Sequence, residues 1–441
     1  MPARWFAGRI RARLDRVHGH GMAKGLDINT REVRISVQGL TCGMFVSRLD
    51  RPWLETSFPM QGVRVDSDEM LSNLKRICTY VWVDSSAGFA PDPRFIVHET
   101  APQQVQQARE ALEIKRLRKH DWEVSTEFRA ELPMAEAAHD SLRARIAEVM
   151  DDLRDGQRLD LEKLKPGVDA MVDSVLRNPA AFGWLKELKR RDDYSYQHAL
   201  GNAIWAASFG RHLGMAREEL EQLALGGLLC DIGKTKLAPE LLAKHSPLSE
   251  SDAALVRRHV HHSLEIVERT PGIPPRVIEI VATHHERHDG SGYPYGLKAT
   301  AIPIFGRIMG VVDSYDAMTC VRPYARSRSP HQAVAELYEQ RGRQFQAELV
   351  EQFIQTCGIY PTGSLVELST GEVGVVVEVH SLKRLRPRIM LLLDRDKLPL
   401  PEFRELDLGV VTTDGAGEPL TVKAGLPVGA FGINSHELFL D

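Results

Sequence analysis

Residues 281–297, VATHHERHDGSGYPYGL, limit what the chain around them can fold into. An apolar run from Val277 to Val281 reads as helix and leads to two adjacent histidines, His284 and His285. His288 and Asp289 follow. Gly290, Gly292, Pro294 and Gly296 then make a long helix impossible, so the backbone must loop. A helix that carries imidazoles to the rim of a tight loop can build a metal site with an open coordination position. The same residues also describe a polar helix end whose histidines face water. Taken alone the stretch leaves these two readings balanced, and matching ligands elsewhere must decide.

Ligand-type residues recur in four other places. His198 ends YSYQH, Cys230–Asp231 sits in GGLLCDIGK, His259 lies in RRHVHHSLEIV, and Asp313 lies in VVDSYDAMT. Each borders an apolar helical run. One such residue is more often a satisfied polar group in a core than a ligand. Five places in one helical region, all holding His, Asp or Cys, favour a metal centre.

The remainder of the chain reads as several domains. A length of 441 residues allows two to four, and 43% hydrophobic with 26% charged residues is the composition of an ordinary globular protein. The net charge of −4 gives no global basic field, which argues against DNA or RNA as partner. No apolar run approaches a membrane span, and five scattered cysteines suit a reducing cytoplasm better than a disulfide framework. Residues 1–26 are a basic tail without the apolar core of a secretory signal, and Met22 is an alternative start. Residues 27–100 read as a small α+β domain. Val33, Ile35 and Val37 alternate, Met44, Val46 and Leu49 form a second extended piece, Asp66 with Glu69 caps a helix through Ile77, and Thr79 to Asp84 is a strand. Residues 101–160 read as a helical connector. Its stripe of Leu142, Ile146, Val149, Met150 and Leu153 either packs on its own domain or joins two copies in a homodimer. Residues 161–358 read as one all-α domain. Residues 359–441 read as a small all-β domain of barrel-like kind, with two strands around Ser369–Thr370–Gly371 and a third at Arg388 to Asp394.

The order of His198, Cys230-Asp231-x-x-Lys234, His259, His284-His285-Glu286-x-x-Asp289-Gly290-x-Gly292-Tyr293-Pro294 and Asp313-x-x-Asp316 resembles the HD-GYP family, a branch of the HD phosphohydrolases. Arg322-Pro323-Tyr324 continues the likeness, which spans about Tyr194 to Tyr324. The first domain, with Leu49–Asp50, Pro52–Trp53 and Val83–Asp84, loosely resembles a domain of unknown function that often precedes HD-GYP domains. The resemblance implies a metal-dependent phosphodiesterase that hydrolyses cyclic di-GMP to linear pGpG and in some members on to GMP. A phosphodiester at neutral pH needs a nucleophilic hydroxide and relief of phosphoryl charge, and a pair of divalent metals supplies both. By resemblance His198, Cys230, Asp231 and Asp313 hold one metal, and His259, His284 and His285 hold the other, with Asp231 bridging. Lys234 and Arg322 contact phosphate. Iron or manganese suits the His and Asp ligands, and Cys230 would draw the choice toward zinc. In the family the GYP loop has been linked to partner diguanylate cyclases.

The chain departs from the family pattern at four places, one of them Ala325, which stands where many members have a basic residue. Cys230 stands where the family has the histidine of its His–Asp pair, so the domain is either an active enzyme or a degenerate one that binds cyclic di-GMP or a partner. Tyr194 replaces the glutamate of three-metal members, which argues for two metals. Ser263 replaces a customary glycine.

Overall fold

The computed structural model describes residues 32–433 except 52–55, 57, 59–61, 98–100, 189–193, 245–247, 321–327, 381–382 and 384. The basic tail, the Met22 alternative, Pro52–Trp53 and Arg322-Pro323-Tyr324 therefore lie outside the described residues. The chain divides into two compact units, Met1–Ala108 and Arg109–Asp441.

In the first unit the strands are β1 (Glu32–Ser36), β2 (Phe45–Leu49), β3 (Val63–Arg64) and, after helix α1 (Asp68–Ile77), β4 (Tyr80–Asp84). They form an antiparallel sheet in the order β1-β4-β2-β3. Alternation sends Ile35, Val46, Val81 and Val83 into a core with Leu74 of α1. On the other face the Arg34 guanidinium lies 3.4 Å from the Tyr80 ring centre and that of Arg48 4.0 Å from Trp82. The helix cap falls one residue later than the expected Asp66. Ser67 has extended backbone angles, and its hydroxyl accepts the Met70 N–H. Asp50 has a structural task, accepting the N–H groups of Thr79 at 2.6 Å and Tyr80 at 3.1 Å.

The second unit takes in the later part of α2 (Ala101–Leu117) and continues with α3 (Phe128–Arg154), which ends before Gly156 in the left-handed region. The α3 stripe of Leu142, Ile146, Val149, Met150 and Leu153 is buried within this unit, where α3 packs on α4 (Leu161–Arg177) and α5 (Pro179–Leu188). Of the two readings of that stripe, packing on its own domain is the one seen. At Gly167 of α4 an added Cβ would lie 2.8 Å from Leu142, so the helices meet closely there.

Next come α6 (Tyr194–His212), α7 (Arg217–Leu229), a 3-10 turn (Ile232–Lys236), α8 (Pro239–Leu242), α9 (Glu250–Arg257), α10 (His259–Glu268) and α11 (Pro275–Thr283). They are followed by α12 (Ile304–Thr319), α13 (Pro330–Glu339) and α14 (Ala347–Cys357). Prolines open α5, α8, α11 and α13, where the missing N–H costs nothing. Helix α6 is the hub. Ala199, Ala203, Ile204, Ala206 and Ala207 are all buried, and the small side chains let α7 and α12 approach. Trp205 and Phe209 of α6 meet Tyr315 and Phe353 in edge-to-face contacts.

The end of the chain holds an antiparallel sheet of β5 (Leu365–Leu368), β6 (Val373–Glu378), β7 (Arg388–Leu393), β8 (Pro399–Asp407) and β9 (Val422–Gly425), in the order β8-β7-β6-β5-β9. Among the described residues this sheet is open, because β8 and β9 are its two edges; the expected barrel-like closure is not formed. Both faces are covered, one by a cluster with Ile389, Leu408 and Leu420, the other by one that includes Trp184 of α5. The sequence reading missed β8 and β9. The prolines and the run of exposed residues from Pro401 to Glu405 mask β8, and it is a strand because β7 offers it an edge. Among the described residues no helix is long and apolar enough to cross a membrane.

Two glycines separate close approach from mere flexibility. A Cβ at Gly227 of α7 would sit 2.8 Å from backbone atoms of Asn202 and Ala203 on α6, whereas one at Gly183 of α5 meets nothing within 4 Å. Gly227→Ala is expected to destabilise the fold by about 1–3 kcal/mol, and Gly183→Ala to stabilise it by roughly 0.5–1 kcal/mol. Thermal and denaturant midpoints of the two variants check this, and equal effects would contradict it.

Candidate metal centre

Five short segments converge inside the helical unit. His198 projects from α6. Asp231 follows the C-terminus of α7, at the start of the 3-10 turn. His259 begins α10, His284 ends α11 with His285 next, and Asp313 lies on α12. The turn after Asp231 is pressed onto α10. A Cβ at Gly233 would lie 2.3 Å from the His259 carbonyl, so glycine is needed for that approach. Ser263 repays its place in α10 by accepting the Gly233 N–H at 2.8 Å.

The site residues form two sets that share Asp231. One atom each from Asp231, His259, His284 and His285 lie within 4.8 Å of one another, as do one each from His198, Asp231 and Asp313. The two oxygens of Asp231 serve different sets: Oδ1 is 3.0 Å from His259 Nε2 and 4.0 Å from His284 Nε2, while Oδ2 is 3.3 Å from His198 Nε2. His198 Nε2 is also 3.1 Å from Asp313 Oδ1, and His285 Nδ1 is 3.6 Å from Asp313 Oδ2.

The tautomers explain why these atoms face a cation. His259 Nδ1 is 2.7 Å from the Val256 carbonyl and His284 Nδ1 is 3.0 Å from that of Val281. A carbonyl only accepts, so both Nδ1 atoms carry the proton and both Nε2 atoms present a lone pair. Those two nitrogens and Asp231 Oδ1 are buried without a hydrogen-bond donor among the described residues. Three buried lone pairs turned toward one another are unfavourable unless a positive centre lies between them. A divalent cation fits this donor set.

The protonation states agree with that fit. Burial lowers His284 to about 4 and His285 well below an ordinary histidine, so both are neutral near pH 7. Burial raises the carboxyl of Asp231, but Lys234 and His259 outweigh it and hold the group well below the usual carboxylate range. Asp313 is likewise held below the usual carboxylate range against burial, chiefly by the neighbouring His198.

Other expected site residues are placed as follows. Lys234 Nζ lies 2.5 Å from Asp231 Oδ2, at the margin of the shared carboxylate. Cys230 belongs to neither set. It is buried, its thiol donates to the Gly227 carbonyl at 3.4 Å, and burial with Asp231 and Asp313 pushes its pKa well above that of a free thiol. Arg322 lies outside the described residues. Of Tyr194 the structure gives only its place at the first residue of α6. His288 turns away from the site toward Glu110, at 3.6 Å.

The loop after His285 is fastened by Glu286, whose carboxylate accepts the N–H groups of Tyr295 at 2.7 Å and Leu297 at 2.9 Å. Tyr293 covers His285 with ring centres 4.7 Å apart. A cleft of about 370 Å³ opens beside the site, lined by His285, Asp313, Ser314, Met318, Gln340 and Gln344 among others.

Sequence reasoning left the supports of His198 without roles. Asp316 Oδ2 accepts the His198 Nδ1–H at 2.8 Å, the buried Lys186 ammonium stands 2.9 Å from Asp316 Oδ1, and the Cys320 thiol donates to Oδ2 at 3.1 Å. Burial raises the Asp316 carboxyl, and Lys186 with His198 more than reverses that. Asp316 therefore fixes the ring so that Nε2 points at Asp231 and Asp313. Its spacing, one turn from Asp313 on α12, was a visible signal. Nothing in the sequence pointed to Lys186.

Comparison with known proteins agrees with this architecture. Residues 181–349 match the HD domain family, residues 32–164 a domain of unknown function (DUF3391), and residues 365–413 a KOW domain associated with HD domain. The chain is 32% identical to the cyclic di-GMP phosphodiesterase PA4108 of Pseudomonas aeruginosa, over 85% of this chain and 89% of that one. It is 35% identical to the cyclic di-GMP phosphodiesterase response regulator RpfG of Xanthomonas campestris, over 36% of this chain and 44% of that one. Against the 3'3'-cGAMP-specific phosphodiesterase 2 of Vibrio cholerae the identity is 34%, over 36% of this chain and 30% of that one. A solved structure, the HDG"Y"P protein Bd1817 from Bdellovibrio bacteriovorus, superposes with a TM-score of 0.43 at 17% identity, covering 73% of this chain and 98% of that one.

Asp316→Ala would leave the Lys186 ammonium buried without its carboxylate, at a cost of about 3–5 kcal/mol. Asp316→Asn keeps the shape and isolates the effect on His198; a fall of roughly 10–100-fold in metal affinity is expected. Metal titration of the folded Asn variant decides, and unchanged affinity would remove Asp316 from the site.

Proposed function

The chain belongs to the HD-GYP family of HD-domain hydrolases, and from that membership we propose that it opens cyclic di-GMP to linear pGpG, with GMP as a further product. The observation that carries the metal requirement is the meeting of Asp231 Oδ1, His259 Nε2 and His284 Nε2 without a donor. The substrate rests on the relative PA4108, which is aligned over 85% of this chain and bears the name of a cyclic di-GMP phosphodiesterase.

In this proposal Asp231, His259, His284 and His285 would hold one divalent ion, and His198, Asp231 and Asp313 would contribute to holding a second. Iron or manganese suits this nitrogen and oxygen set. When bound, the pair supplies an acidified water for in-line attack and charge relief on the phosphodiester. The chain's own residues do the rest. Buried neutral imidazoles keep bulk water from the reacting centre. Lys234, tethered to Asp231, adds a positive charge where a phosphoryl oxygen would gain negative charge. The cleft along Ser314, Met318 and Gln344 receives the remainder of the dinucleotide. Arg322 adds a phosphate contact, the GYP loop is the face for diguanylate cyclase domains, and the protein works in the cytoplasm. A homodimer would use a surface other than the α3 stripe, which is already buried.

A second reading, a degenerate domain that binds cyclic di-GMP without cleaving it, draws on one observation: Cys230 stands outside both ligand sets. The two readings part on anaerobically purified protein assayed with cyclic di-GMP beside Cys230→His. Wild type is expected to carry two metals and turn over, and chelation or Asp231→Ala to abolish both loading and turnover. Wild type inert with two metals bound, beside an active Cys230→His, would establish the degenerate reading. Full activity in Asp231→Ala would refute the assigned centre.

A further inference from the structure

The set of His198, Asp231 and Asp313 has a notable neighbour. Asn202 lies one helical turn after His198 on α6, so the two side chains share a face. It is fully buried. Its Nδ2 lies 3.3 Å from Asp313 Oδ1 and 3.6 Å from the Cys230 sulfur, and its Oδ1 has no hydrogen-bond donor among the described residues. A buried carboxamide with an unsatisfied oxygen is costly, and an interior that keeps one has a use for it.

The place matters because the residue before Asp231 is a cysteine whose sulfur is engaged with the Gly227 carbonyl, so the set His198, Asp231 and Asp313 has one protein ligand fewer than the family pattern supplies. Asn202 reaches this spot because Gly227 lets α7 settle against the Asn202 backbone, where any Cβ would collide. The two ends of a carboxamide are nearly equal in size, and a half-turn of the group brings the oxygen to the side of Asp313 that the nitrogen now occupies.

We propose that the Asn202 side-chain oxygen is a ligand of the metal that His198, Asp231 and Asp313 would hold, filling the place left open by Cys230. This rests on the two-metal reading above. A neutral oxygen is a harder donor than a thiolate, so the site keeps a preference for manganese or iron over zinc.

The test uses the full chain, prepared metal-free and titrated with Mn(II) and Co(II). Asn202→Ala is expected to lose one of two Mn(II) equivalents, or to bind it at least tenfold more weakly. Asn202→Asp, which keeps an oxygen in place, should retain both equivalents, and Cys230→Ser should leave loading unchanged. Co(II)-loaded wild type should lack the near-ultraviolet absorption of a cobalt–thiolate bond. That measurement needs no variant and stands even if Asn202→Ala fails to fold. Two equivalents of unchanged affinity in Asn202→Ala, or a thiolate band in wild type that Cys230→Ser abolishes, would overturn the proposal. Retention of both equivalents by Asp231→Ala would instead overturn the two-metal reading beneath it.

Discussion

The centre depends on one carboxylate with two differently employed oxygens. Asp231 faces His259 and His284 through Oδ1 and His198 through Oδ2, while Lys234 stands close to Oδ2. Burial alone would drive a proton onto this group. It stays ionised chiefly because the Lys234 ammonium beside it makes the charged form the cheaper one. Everything that brings those neighbours near is a packing requirement: a glycine at 233 so that the turn can touch α10, a glycine at 227 so that α7 can touch α6, and small residues along α6 itself.

Around that carboxylate the histidines are oriented by groups that never face the site. The carbonyls of Val256 and Val281 accept the Nδ1–H of His259 and His284, and Asp316 accepts that of His198. Lys186 fixes Asp316 in turn. Donor atoms held by helix-end carbonyls and a buried ion pair are already in place, so a cation bound among them would meet little ordering cost. The loop beyond His285 follows the same logic, since Glu286 gathers its backbone N–H groups and Tyr293 closes over the imidazole.

Cys230 shows how a single substitution is absorbed. Its sulfur is turned toward its own helix, and Asn202 comes between it and Asp313. Ser263 is a milder example: inside α10 a serine costs little, and its hydroxyl gains a backbone donor.

Much of this was legible in the residues themselves. The ligand types, their order, the helical character of the centre and the glycine-rich loop follow from local chemistry, because imidazole, carboxylate, glycine and proline each permit few roles. Most strands of the first domain could be read from period-two alternation, and the early strands of the last from short apolar runs set around Ser369–Thr370–Gly371 and at Arg388 to Asp394. Three things needed the folded chain. Whether the α3 stripe is spent internally or offered to a second copy depends on what α4 and α5 bring to it, and a stripe looks the same either way. Strands β8 and β9 exist because neighbouring strands offer them edges, which no local pattern encodes. Lys186 and Asn202 acquire meaning only through distances to Asp316, Asp313 and Cys230. Residues far apart along the chain meet there through helix packing, and the sequence records their identities but not their separations.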